Sequence, residues 1–158
     1  MHVTIQAIEE VKARLLGVIP EIGDRVWRNK LYRLDDPDLP CLLVMLDGEK
    51  VSNSQGSRNP NKIQDRRISF SVIAVTKIFD NVKRNEEGET LEDILYDYAS
   101  TVEAALLGDN MIDSSIHDLE LHSIEVKESD DGDRPLGSVR LEFSMLIRTR
   151  ASMPKTYI

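Results

Sequence analysis

The chain has 158 residues, of which 41% are apolar and 30% are charged, which suits one domain with a buried core and a solvated surface. Its formal net charge of -8 argues against a free-standing nucleic-acid-binding protein, because such proteins carry a basic footprint. The single cysteine, Cys41, excludes an intramolecular disulfide, and no apolar run approaches the ~20 residues of a membrane span, so a cytoplasm is the expected setting.

The first predicted element is an amphipathic helix over 5–16. Its apolar residues recur at spacings that fall on one helical face: Ile5, Ile8, Val11, Leu15 and Leu16. Thr4 is the predicted N-cap, because its hydroxyl can accept a hydrogen bond from an otherwise unpaired backbone N–H. Gly17 and Pro20 are predicted to end the helix.

Two strands and a long polar segment follow. Segment 24–34 mixes apolar with basic side chains, a pattern typical of an edge strand, since charged side chains discourage edge pairing. Segment 41–46 is apolar at every position and predicts a strand that is covered on both faces, with Cys41 as a buried structural thiol. Segment 47–65 is polar and is predicted to be a loop, either functional or mobile until assembly.

The third predicted strand covers 66–78 and has the clearest alternation. Ile68, Phe70, Val72 and Ala74 share one face. The opposite face begins with Ser69 and Ser71 and becomes apolar afterwards, so the first part is predicted to be half exposed and the later part buried on both sides. A second polar loop is predicted over 80–89, with the same expected mobility.

A second helix is predicted over 91–107. Thr90 and Asp93 fit a capping box, and Gly108 is predicted to end the helix. The apolar stripe of this helix consists of Leu91, Ile94, Leu95, Tyr98, Val102, Ala105 and Leu106.

The last third of the chain predicts a β-hairpin. The apolar residues fall at odd positions in Leu119 and Leu121 but at even positions in Ile124 and Val126. This switch predicts a bulge near 122–123, which would return them to the same face of the sheet. Segment 129–133 is the predicted turn. The return strand places Val139, Leu141, Phe143, Met145 and Ile147 on one face.

These elements predict an α+β fold. We expect a single domain over 1–150, with a mainly antiparallel sheet of about five strands and two helices on one face, followed by a weakly ordered tail over 151–158. Segments 24–34 and 137–150 are the candidates for exposed sheet edges. The expected core contains Ile8, Leu15, Val44, Phe70, Val72, Leu95, Tyr98, Leu141 and Phe143.

The residue types that carry chemistry do not form a recognisable catalytic or metal-binding pattern. His117 and His122 have a spacing that fits no trusted ligand motif, and they are interpreted as surface or strand-end residues. The acidic segment 128–133 lacks the alternating oxygen ligands of an EF-hand and is interpreted as a solvated turn. We therefore predict no catalytic, cofactor-binding or metal-binding residues, and a protein that is not an enzyme.

Charged residues on the predicted strands are the candidates for a protein interface. Arginines near strand ends could bind phosphate, solvate the sheet or pair with acids of a neighbouring subunit. The interface candidates are Arg28, Arg33, Arg66, Arg67, Glu142, Arg148 and Arg150.

The order of these elements resembles that of the tail-terminator, or tail-completion, proteins of long-tailed bacteriophages and prophages. The resemblance rests on the first helix, strands 24–34 and 41–46, segment 47–65, the second helix and the terminal hairpin. It implies a ring, usually a hexamer, that caps the tail tube and docks on the head-side connector, with no catalytic residues and no cofactor.

The resemblance also implies the partners and location. The expected partners are further copies of the chain, the tail-tube protein and the head-tail connector protein, with DNA passing through the lumen without specific binding. Assembly would occur in the host cytoplasm and end in the virion tail, without a membrane. Two alternatives stay open: a small-molecule-binding or enzymatic α+β homodimer, and an adaptor of a phage-like contractile or secretion particle.

Overall fold

The computed structural model describes residues 1–28, 38–53, 60–77, 90–108, 115–131 and 134–158. These residues form two helices and six strands. In chain order the elements are α1 (Val3–Leu15), β1 (Val26–Arg28), β2 (Cys41–Asn53), β3 (Ile63–Lys77), α2 (Leu91–Leu107), β4 (His117–Asp131), β5 (Arg134–Arg150) and β6 (Met153–Tyr157).

The six strands form one sheet in the order β1-β2-β3-β5-β4, with β6 paired to β5. Only the pairing of β1 with β2 is parallel among these strands. The predicted α+β fold with a mainly antiparallel sheet is confirmed, as is the edge position of the strand in 24–34, seen as Val26–Arg28. The second predicted edge, 137–150, is wrong, because β5 pairs with both β3 and β4; its alternating pattern does not distinguish an edge from a central strand.

Both helices pack on the same face of the sheet, as predicted. Side chains of α1 and α2 join one core cluster with the inward side chains of β2, β3 and β5, including the row Val44, Val72 and Leu141. At the centre, the rings of Phe70 and Phe143 stack with their centroids 5.3 Å apart. Every member of the expected core is buried.

The two helices begin differently. In α2 the capping box is confirmed: the Asp93 N–H donates to the Thr90 hydroxyl at 3.2 Å, and the Thr90 N–H donates to the Asp93 carboxylate at 3.0 Å. In α1 the predicted N-cap Thr4 is wrong, because the helix begins earlier and His2 caps it through Nδ1, 3.2 Å from the Thr4 nitrogen. The Thr4 hydroxyl instead donates to Glu49 on β2, at 2.7 Å.

The predicted loop 47–65 is wrong at both ends, because β2 continues to Asn53 and β3 begins at Ile63. Polar side chains do not prevent the pairing of β2 with β3 here, because backbone groups make the hydrogen bonds between the strands and one face of this strand pair meets solvent. A bulge between Leu46 and Gly48 leaves Asp47 outside the register. Residues 54–59 and the second predicted loop, 80–89, lie outside the described residues.

The terminal hairpin has the predicted bulge, since the register shifts between Leu121 and Ser123. The predicted turn 129–133 is too wide, because pairing continues to Asp131 opposite Arg134. The C-terminal segment 151–158 contains β6, Met153–Tyr157, which pairs with the part of β5 that extends past β4. Its backbone thus bonds to groups that β4 does not reach, and the expectation of a weakly ordered tail stays a prediction.

Candidate interaction surface

We call the face of the sheet opposite the helices the open face; its first half is apolar and is buried within the subunit, and only the rest meets solvent. Its buried members are Leu39, Cys41, Leu43 and Val75, and half-buried residues pack around them: Trp27, Met45, Ile73 and Leu136. Cys41 is a buried free cysteine, as expected for a structural thiol. The prediction that segment 41–46 is a strand covered on both faces is confirmed for Cys41, Leu42, Leu43 and Val44, whereas Met45 and Leu46 are half-buried.

The middle of the open face carries a polar network that spans four strands. The Arg140 guanidinium donates to Asp47 at 3.0 Å, and Ser71 also donates to the Asp47 carboxylate. Arg140 Nε lies 3.4 Å from Glu142, whose carboxylate accepts a hydrogen bond from Ser123 at 3.0 Å. Glu142, an interface candidate, is thus bonded within its own subunit while staying exposed to solvent.

The far end of the open face is basic. We define the basic patch as Lys50, Arg67, Arg148 and Arg150. Lys50 and Arg67 are direct cross-strand partners, and Arg148 lies opposite Asp65, whose carboxylate accepts from Arg148 Nε at 2.9 Å. The sequence identified the three arginines but missed Lys50, because its segment was interpreted as a loop. The alternation Gly48, Lys50, Ser52 on the far side of the bulge was the available signal.

Arg66 belongs to the opposite face. It has the parity of Ile68 and Phe70, is only 8% exposed, and donates to Thr149 at 3.1 Å and to Glu49 at 3.2 Å. We therefore leave Arg66 out of the candidate interface, because its guanidinium is bonded to residues of its own subunit on the helix side of the sheet. Strand parity in the sequence separates it from Arg67.

The remaining interface candidates lie elsewhere. Arg28 is at the β1 edge, where its Nε is 3.2 Å from a carboxylate oxygen of Glu9 on α1. Arg33 lies outside the described residues. The structure thus brings together Arg67, Arg148 and Arg150 and leaves Arg28 at the far edge of the sheet.

The titratable groups give no metal cluster in the described part of the chain, where no three His, Cys, Asp or Glu residues converge. The His122 ring shares a 2.6 Å hydrogen bond with the Ser144 hydroxyl and lies 4.0 Å from Glu120.

Hydrogen bonds from the Thr90 backbone and hydroxyl hold the pKa of Asp93 below its usual range. Neither described helix is long and apolar enough to cross a membrane.

Comparisons with known proteins extend this picture. No family model matches the sequence, and no curated protein is similar to it. Among solved structures, the chain is similar to one from "Virion of native gene transfer agent (GTA) particle", with a TM-score of 0.56 and 12% sequence identity. The similarity covers 94% of this chain and 96% of that one, so the two chains share one fold over nearly their whole length.

Proposed function

We propose that the protein is a structural subunit of a phage-like virion. The observation that carries this proposal is the similarity in fold to a chain of a gene transfer agent virion, which covers 94% of this chain and 96% of that one. The exposed basic end of the open sheet face supports a role in subunit contacts.

Within that class, we propose that the protein forms a ring that caps the tail tube and joins it to the head connector. The element order that resembles tail-terminator proteins supports this role. The formal net charge of -8 is compatible with a lumen that DNA passes without binding, because like charges repel the polyanion. In this role the protein performs no chemical reaction.

A ring of this kind needs heterologous contacts that close by rotation. Stable contacts of this type bury on the order of 1,200–2,000 Å² each. Exposed charges such as Arg148 and Arg150 would set the orientation of neighbours more than they would add affinity.

The test is deletion of the gene from the genome that encodes the particle. The expected result is tails of uncontrolled length, or heads without joined tails, in electron micrographs. Complementation with the wild-type gene should restore normal particles, whereas a copy with Arg148→Glu and Arg150→Glu should restore them poorly. The matched control is Lys127→Glu, an exposed cation on β4 away from the basic patch. Normal infectious particles from the deletion strain would refute the proposal.

A further inference from the structure

The outward side of α2 is acidic and partly apolar. The helix contains four carboxylates and no Lys or Arg. Tyr96 and Leu107 are 44% and 41% exposed, and small residues between them leave a shallow concavity. We define the α2 outer surface by the side chains that share this side of the helix: Tyr96, Asp97, Ser100, Glu103, Ala104 and Leu107.

The basic patch has the opposite character and lies on the other side of the sheet. Lys50 and Arg67 are exposed and directly opposite each other on β2 and β3, an arrangement in which like charges destabilise the pairing. Among the described residues, only Arg148 of the patch has an acidic partner, Asp65. An acidic surface from outside the subunit would relieve this repulsion.

We propose that the α2 outer surface of one copy docks on the basic patch of the next copy. Asp97 and Glu103 supply the negative charge that Lys50 and Arg67 require, and the exposed apolar groups of Tyr96 and Leu107 supply area that the contact removes from water. The charges orient the neighbour, while the apolar groups hold it. This inference rests on the proposed ring and names its contact surfaces.

The placement of the two surfaces determines the symmetry of the contact. α2 covers one face of the sheet and the basic patch lies on the opposite face. Two copies related by a twofold axis cannot present both surfaces to each other at once. The contact is therefore heterologous, and an open oligomer keeps one free surface at each of its two ends until the ring closes.

Two charge-reversed proteins test this contact. One carries Lys50→Glu and Arg67→Glu, and the other carries Asp97→Lys and Glu103→Lys. Each protein alone presents like charges at both surfaces, so its self-association should weaken about tenfold or more in sedimentation velocity. Circular dichroism and thermal melting should show that both remain folded, because all four side chains lie on the solvent side of their elements.

An equimolar mixture of the two proteins should recover association, because each reversed surface then meets its complement. Native mass spectrometry should show only complexes in which the two proteins are present in equal numbers. The matched control is a protein with Glu125→Lys and Lys127→Glu, which inverts an exposed ion pair on β4 and should associate like the wild type.

Three results would overturn the inference: charge-reversed proteins that associate like the wild type, a folded mixture that stays dissociated, or a wild-type protein that is monomeric at every concentration tested. A tube-capping assay separates this failure from that of the proposed function. If the wild type and both charge-reversed proteins cap tubes equally, the ring proposal stands and this contact falls. If the wild type caps no tubes, the ring proposal falls.

Discussion

Arg66 and Glu49 form an ion pair, with 3.2 Å between the guanidinium and the carboxylate, at the junction between the sheet and α1. The same carboxylate oxygen accepts a hydrogen bond from Thr4 in the first turn of α1. That turn has no acidic residue of its own, so Glu49 supplies the negative charge that a helix N-terminus favours. One carboxylate thus connects the helix to two strands.

We expect Arg66→Met to lower the free energy of unfolding by about 2–3 kcal/mol, because it leaves the partly buried Glu49 carboxylate without its cation. Urea denaturation measures the loss. Arg67→Met is the matched control, since Arg67 is exposed on the opposite face and its replacement should change stability by less than about 0.5 kcal/mol. Equal losses for the two variants would contradict the assignment of Arg66 to the interior.

Phe143 provides a test of the core. It is 1% exposed and stacks on Phe70, so Phe143→Ala should cost about 3–5 kcal/mol in denaturant melts. Leu146→Ala is the control in the same strand, because Leu146 is half-buried on the open face and should cost less. A loss below about 1 kcal/mol at Phe143 would show that the centre of the sheet packs differently.

The residue that follows α2, Gly108, is a glycine because a side chain does not fit there. A Cβ at this position would lie 2.6 Å from the backbone oxygen of Ala104, and the φ of -71° shows that a left-handed conformation is not the reason for glycine. Gly108→Ala should therefore destabilise the protein by about 1–3 kcal/mol in thermal or urea melts. Gly48→Ala, where a Cβ meets nothing within 4 Å, should be nearly neutral. A neutral Gly108→Ala would refute this explanation.

The capping box predicts a pH dependence at the start of α2. The pKa of Asp93 is lowered in the folded protein, first by the backbone hydrogen bond from Thr90 and then by its hydroxyl. Its contribution to stability is therefore present above the usual carboxyl pKa of about 3.9 and is lost as the pH falls through the lower folded value. Asp93→Asn should remove this part of the acid dependence.

Carbon-detected NMR titration of the Asp93 carboxyl measures the effect directly. Amide exchange in the first turn of α2 should also rise on acidification in the wild type more than in Asp93→Asn. An Asp93 that titrates like an aspartate in an unfolded peptide would contradict the capping geometry.

Hydrophobic periodicity predicts much of the fold, because the spacing of apolar residues along the chain alone identifies a helix or a strand and its buried face. The stripe of α2 and the alternation of β5 identify their buried faces without any knowledge of the partner. The extension of β2 through Glu49 and Lys50 was not predictable in this way, because polar residues form a strand only when a second strand supplies the backbone hydrogen bonds. The C-terminal strand β6 was missed for the same reason.

Three features were predictable from the sequence alone: the capping box at Thr90 and Asp93, the doubly covered strand that begins at Cys41, and the bulge near His122. Each of these depends on residues that are close together in the chain. The contacts of Glu49 with Arg66 and Thr4, and the position of Lys50 opposite Arg67, arise from the folded arrangement of strands and helix. These contacts depend on the register between β2 and β3, which the bulge at Asp47 shifts, and on the helix that packs against one end of the ribbon.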